Sequence, residues 1–154
     1  MIWDMRAVEL EGQDLASALE ATIRSATMNA STAVVFFVHG DRRRLPVAVE
    51  TTVLRIGREA VLNAVKHAAP RTVEVYLEYG TRSLTLRVVD DGTGIPPSAM
   101  EAAAKEGHLG IVGMRERALR TGGTLEISSP GRGTIVSVSL PIREMSASAS
   151  DLVG

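Results

Sequence analysis

Four residues in the run "REAVLNAVKHA", Arg58 to Ala68, carry side chains able to do chemistry: Glu59, Asn63, Lys66 and His67. Asn63 stands four after Glu59, and Lys66 and His67 follow three and four after Asn63. On a helix those offsets stack the side chains along one face. The amide oxygen of Asn63 suits Mg2+, which prefers oxygen ligands and keeps much of its water. Lys66 can offset phosphate charge, and Glu59 can hold a water or a metal-bound water. A solvated helix face accounts for any one of these residues. Four of them in register, among apolar neighbours, ask for a ligand.

Two further clusters sit at element ends, where a rigid scaffold presents functional groups. In "VVDDGTGI" the carboxylate of Asp90 closes an apolar strand, and Gly92, Gly94 and Ile95 follow. A carboxylate there can accept from an exocyclic amine such as adenine N6, and glycines let a flat ligand approach the backbone. Asp-Asp-Gly is also an ordinary turn signal. In "GHLGIVGMRERA", Gly107, His108, Leu109, Gly110 and Gly113 lead into a helix whose first N–H groups form an anion site. A Rossmann phosphate loop would need a strand immediately before the glycines. The segment "IPPSAMEAAAKE" stands there instead.

The elements that position these clusters are legible from periodicity. "GQDLASALEATIRSATM" spaces Leu15, Leu19, Ile23 and Met28 as a helix, with Asp14 near its start. "STAVVFFV" reads as a strand closed by the turn-like "HGDRRRLP". The polar helix begins near Pro46, since proline suits a first turn, and stops at Ala69-Pro70. "RTVEVYLEYG" and "TRSLTLRVVD" alternate around Gly80, Thr81 and Arg82 as a β-hairpin. "IVGMRERALRT" is a helix ended by Gly122-Gly123, and "TLEISS" and "GTIVSVSLPI" are strands around "PGRG". The order α-β-α-β-β-loop-α-β-β predicts an α+β two-layer sandwich, with helices on one face of a mixed, mostly antiparallel sheet.

Composition bounds the rest. A chain of 154 residues with 45% apolar residues is one domain with a real core. Aromatics are only 3%, so that core must be aliphatic. A net charge of -1 gives no general attraction to nucleic acid or to an acidic membrane. The absence of cysteine excludes disulfides and thiolate metal sites. No apolar run approaches the ~20 residues of a membrane span, and "MIWDMRAVEL" is charged where a signal peptide would be apolar. These features suggest a cytoplasmic domain that contacts neither membrane nor nucleic acid.

The clusters, in this order, resemble the ATP-binding domain (the GHKL or Bergerat fold) shared by sensor histidine kinases, DNA gyrase, the Hsp90 chaperones and MutL. "REAVLNAVKHA" resembles the N box, "DDGTGI" and "GHLGIVGMRERA" the glycine boxes, and "GRGTIVSVSLP" the closing glycine–threonine strand. The E-A-x-x-N-x-x-K-H pattern and the G-M-R-E-R helix followed by "GG" are similar to histidine kinases of the NarL/DegS type. The amino end "IWDMR" resembles the end of that group's dimerisation helix. The resemblance runs from about Ile2 to Ile142.

It implies ATP and Mg2+ as ligands, with Asp90 on the adenine amine and Gly92, Gly94 and Ile95 beside it. Asn63 becomes the Mg2+ ligand and Glu59 the catalytic acid beside it. Lys66 and His67 lie near the phosphates, and Pro96 to Leu109, with Gly107 and His108, form a lid. Gly110 and Gly113 bring backbone donors to the phosphates, and Thr134 helps the adenine site. It divides the chain into 1–12, the end of a dimerisation helix; 13–142, the catalytic domain; and 143–154, a disordered tail. The implied partners are a dimerisation domain carrying the phosphoacceptor histidine and a response regulator of LuxR type. His39, in a turn, His67 and His108 do not look like acceptors, so the acceptor is expected outside this chain. "DRRR" is a solvated turn or a docking patch. A stand-alone serine kinase of the anti-sigma type and a nucleotide-binding module without transfer activity stay open as alternatives.

Overall fold

The computed structural model describes residues 14–93 and 110–142. Three helices and five strands follow in the order α1 (Leu15–Ala26), β1 (Ala33–Gly40), α2 (Val47–His67), β2 (Thr72–Tyr79), β3 (Ser83–Asp90), α3 (Ile111–Arg120), β4 (Thr124–Ser128) and β5 (Thr134–Pro141). The strands form one sheet in the order β1-β2-β3-β5-β4. β1 pairs parallel with β2, and the other pairings are antiparallel. The sheet is therefore mixed and mostly antiparallel, as the alternation of apolar residues implies.

Each helix forms for a local reason. Asp14 caps α1 by accepting the Ser17 N–H at 2.8 Å, which satisfies one of the donors a helix start leaves unpaired. Pro46 precedes α2 without a side-chain cap, and the buried Glu50 reaches back to accept the Leu45 N–H at 3.2 Å. α1 ends at Ala26, so Met28 lies beyond it and is exposed. β1 runs on through His39 and Gly40, so His39 belongs to a strand where a turn was expected. Pairing with Glu78 and Tyr79 of β2 extends it.

Alternation puts Val73, Val75, Leu77 and Tyr79 of β2 on one face with Leu84, Leu86 and Val88 of β3 and with Val138 and Leu140 of β5. All three helices pack on that side. The core is aliphatic, with Leu15, Leu19, Ile23, Val53, Ile56 and Met114 buried between the layers. α1 and α2 approach at Gly57, where a Cβ would press on Leu19. On the opposite face Phe37 stacks on Tyr76 at 4.8 Å between centroids, with the Arg87 guanidinium over the same ring.

The "DRRR" turn is solvated, with Asp41, Arg42 and Arg44 exposed, yet each of its arginines also has a partner in the fold. Arg42 pairs with Asp14 at 3.4 Å, Arg43 donates to the Gly80 carbonyl at 2.7 Å, and Arg44 approaches the buried Glu50 at 3.5 Å. The three arginines tie the turn to α1, to the β2–β3 hairpin and to the start of α2.

Candidate functional site

α2 carries two different polar edges, because each residue turns the helix by about 100°. Lys66 and His67 therefore point to opposite sides of Asn63. His67 lies on the same side as Ala60, Ala64 and Ala68, a stripe of small side chains over the sheet. There it helps line a cavity with Asn63, Asp90, Met114 and Thr134. Glu59 and Lys66 lie on the other side, along a groove with Arg117. Asn63 belongs to both. The expectation of one shared face for all four is thus corrected: they straddle Asn63.

The cavity floor is polar in an apolar wall. Asp90 and Thr134 are direct partners across β3 and β5, and both are buried. The Asp90 carboxylate accepts the Gly92 N–H at 2.9 Å and is held also by the Thr134 N–H. Burial nonetheless dominates and raises its pKa above the ordinary carboxylate value. The Thr134 hydroxyl is buried without a hydrogen-bond partner. Native proteins rarely leave such an atom unpaired, so it marks a place where a ligand or water completes the bonding. Val88, Ile111, Ile127 and Val136 complete the wall. An apolar cleft with a few convergent polar groups suits a flat heterocycle that carries an amine. The space between these walls is about 30 Å³, enough for water. Met114 is the most adaptable side chain of the wall.

On the groove side Glu59 accepts from Arg117 at 3.2 Å, with both side chains one-third exposed. Gly110 precedes α3 in the left-handed conformation (φ 64°), and a Cβ there would collide with the Glu59 carboxylate. At Gly113 the nearest atom to an added Cβ would be a guanidinium nitrogen of Arg117, at 3.5 Å. The two glycines leave space along α3 for this ion pair.

Gly92 also has a structural reason. A Cβ there would strike the Ala68 carbonyl, and Thr93 donates to that same oxygen at 3.1 Å. The described contacts of Gly92 therefore pin the strand end to the end of α2. Asp91 points away from the cavity and accepts the N–H groups of Arg71 and Thr72 at 2.8 and 3.0 Å. Gly94, Ile95, Gly107, His108 and Leu109, the lid from Pro96 to Leu109, and the segments 1–12 and 143–154 lie outside the described residues. Sequence reasoning missed Met114 and Arg117. The alanines one turn apart on α2 were the available signal for the cavity, since only small side chains leave room there.

The family described as histidine kinase-, DNA gyrase B- and HSP90-like ATPases matches residues 48–144. The chain is similar to the signal transduction histidine-protein kinase/phosphatase DegS of Brevibacillus brevis, 32% identical over 92% of this chain and 36% of the relative. It is 33% identical to a sensor-like histidine kinase of Chloroflexus aurantiacus over 92% of this chain and 25% of that one. The chain thus spans between a quarter and about a third of the length of these relatives. Among solved structures it resembles the histidine kinase domain of a blue-light activated histidine kinase from Erythrobacter litoralis. That match has a TM-score of 0.72 at 25% identity and covers 84% of this chain and 62% of the other. With the Asp90–Thr134 floor and the α2 edge in the places described, the chain belongs to the family of histidine kinase-, DNA gyrase B- and HSP90-like ATPases, as an ATP-binding domain of the histidine kinase kind.

Proposed function

We propose that this domain binds Mg·ATP and passes the γ-phosphate to a histidine on the dimerisation domain of its parent kinase. From there the phosphate goes to an aspartate of a response regulator, of LuxR type. The observation that carries the reading is the buried Asp90 carboxylate beside the unpartnered Thr134 hydroxyl, on the floor of a cavity that Asn63 overhangs. The carboxylate accepts from the adenine amine, and the hydroxyl bonds a ring nitrogen or a bridging water. Asn63 and Lys66 then stand at the phosphate end.

Mg2+ would neutralise phosphate charge and orient the γ-phosphate. Among the described residues no group of three or more His, Asp or Glu side chains is placed to hold a metal. A site built on Asn63 alone fits an ion that takes its remaining ligands from phosphates and water. In the transfer, an imidazole nitrogen of the acceptor forms a bond to γ-phosphorus, the bond to the bridging oxygen breaks, and ADP leaves with that electron pair. Glu59, held by Arg117, is the carboxylate that lines the groove with Asn63 and Lys66 among the described residues, and its role lies in the proton and water of the transfer step.

Calorimetric titration tests the nucleotide part. ATP binds with Mg2+ present, and GTP, which sets a carbonyl against Asp90, binds far more weakly. Equal affinity for the two nucleotides would remove Asp90 from the base site.

A further inference from the structure

Beyond the nucleotide cavity, α2 carries a basic stripe that meets the ATP site only at Lys66, leaving Arg55 and Arg58 without a role in the fold or in nucleotide binding. Thr51, Arg55, Arg58, Leu62 and Lys66 succeed one another at offsets of four, three, four and four, which keeps them in one narrow band. They line a groove of about 630 Å³ with Thr22 of α1, Leu54, Glu59, Asn63 and Arg117. Four cations and one carboxylate meet there, in a chain whose net charge is -1. The carboxylate, Glu59, is already paired with Arg117. Arg55, Arg58 and Lys66 are exposed, and among the described residues no ion pair or hydrogen bond engages them. The arginines of the "DRRR" turn, by contrast, all have inward partners.

We propose that this groove is the docking surface for the phosphoacceptor domain, and that it receives an acidic face of the helix bearing the histidine. The inference rests on the transfer function proposed above. The acceptor imidazole must reach a γ-phosphate lying at Asn63 and Lys66, so its domain must rest on the surface that borders that end. The groove is that border. From Arg55 to Lys66 it runs about 16 Å, roughly three helical turns. Its floor holds the buried Leu54 and the half-buried Leu62, and its rim is basic. An apolar strip flanked by one sign of charge is the shape and chemistry that receive an amphipathic helix. Arg55 stands about 12 Å along the axis from Asn63, too far to serve the metal or the adenine. Arg55 and Arg58 therefore read the partner.

The test compares the chain with a variant carrying Arg55→Glu and Arg58→Glu, and with a milder one carrying Arg55→Ala and Arg58→Ala. The probe is the histidine-bearing domain of the parent kinase, titrated into each protein with a non-hydrolysable ATP analogue present. Both variants are expected to keep the melting temperature and the ATP affinity of the parent sequence. The reversal should weaken binding of the histidine domain by roughly tenfold or more, the alanines by less, and added salt should weaken only the original pair. Unchanged binding of that domain would overturn the proposal. Equal loss of ATP affinity would also overturn it, since the arginines would then belong to the nucleotide site. If the histidine domain binds and the reversal abolishes binding, yet no phosphate is transferred, the docking surface stands and the transfer reading fails.

Discussion

Replacing Asp90 with Asn separates the charge of the cavity floor from its shape. The carboxylate has a Gly92 N–H at 2.9 Å and the Thr134 N–H to accept, and its burial leaves little water to help. An amide keeps one oxygen for those donors, but its NH2 then faces either a backbone N–H or the adenine amine. The ligand thereby loses a bond to a charged acceptor, worth about 1.5–3 kcal/mol. That corresponds to roughly a 10- to 100-fold loss of ATP affinity, and discrimination against GTP should fall with it. Stability should change little, because burial already penalises the charged form that the substitution removes. The pH dependence has a definite sign. Burial raises the folded-state pKa of Asp90 above 3.8, so folding takes up a proton between 3.8 and that higher value. The penalty for ionised Asp90 is full above the folded pKa and vanishes below 3.8. ATP needs the ionised form, so its affinity should fall as acidification passes the raised pKa. Calorimetric titrations of both proteins over a pH series measure this, and the Asn variant accounts for protonation of the nucleotide itself. Equal affinities of the two proteins at neutral pH would refute the reasoning.

Glu59→Gln should leave ATP binding in place while phosphotransfer drops, by ~10²–10⁴-fold if the carboxylate acts in proton transfer; stopped-time transfer assays with saturating ATP measure it. Arg117→Lys should retain more transfer than Arg117→Ala, with little change in ATP affinity, because a lysine can still pair with Glu59. Asn63→Ala should abolish the Mg2+ dependence of ATP binding, read by titration with and without a chelator. Asp14→Ala should destabilise the fold by about 1 kcal/mol through loss of the α1 cap, measured by urea denaturation. The Ser17 N–H holds the folded pKa of Asp14 below 3.8, so this contribution is present above 3.8 and is lost as pH falls through the folded value.

Most of the scaffold was legible because its signals are local. The alternation in "TVEVYLEY" and "SLTLRVVD" gives both the hairpin and its buried face, and Pro46 and Asp14 mark helix starts. Asp90 could be placed at a strand end from the sequence, but its pairing with Thr134 is a contact between distant segments that no periodicity reports. The same limit hid the Glu59–Arg117 pair, 58 residues apart. It also hid the work of "DRRR", whose three partners lie on three different elements. Helical spacing placed Glu59, Asn63, Lys66 and His67 near one another, yet only the neighbours of α2 decide which ligand each edge meets. The glycines show this too: permissive backbone was readable at Gly92, while the Ala68 carbonyl that requires it was not.

The most direct measurement is transfer of label from γ-³²P-ATP to a purified histidine-bearing domain of the parent kinase, mixed with this chain. The account expects Mg2+-dependent labelling of that domain, labile to acid and stable to base, with no label on this chain. It also expects the labelling, at ATP concentrations near the affinity of the original chain, to fall roughly 10-fold or more in the Asp90→Asn variant. Strong labelling of this chain at His39, His67 or His108, or acid-stable label on a serine, would contradict it.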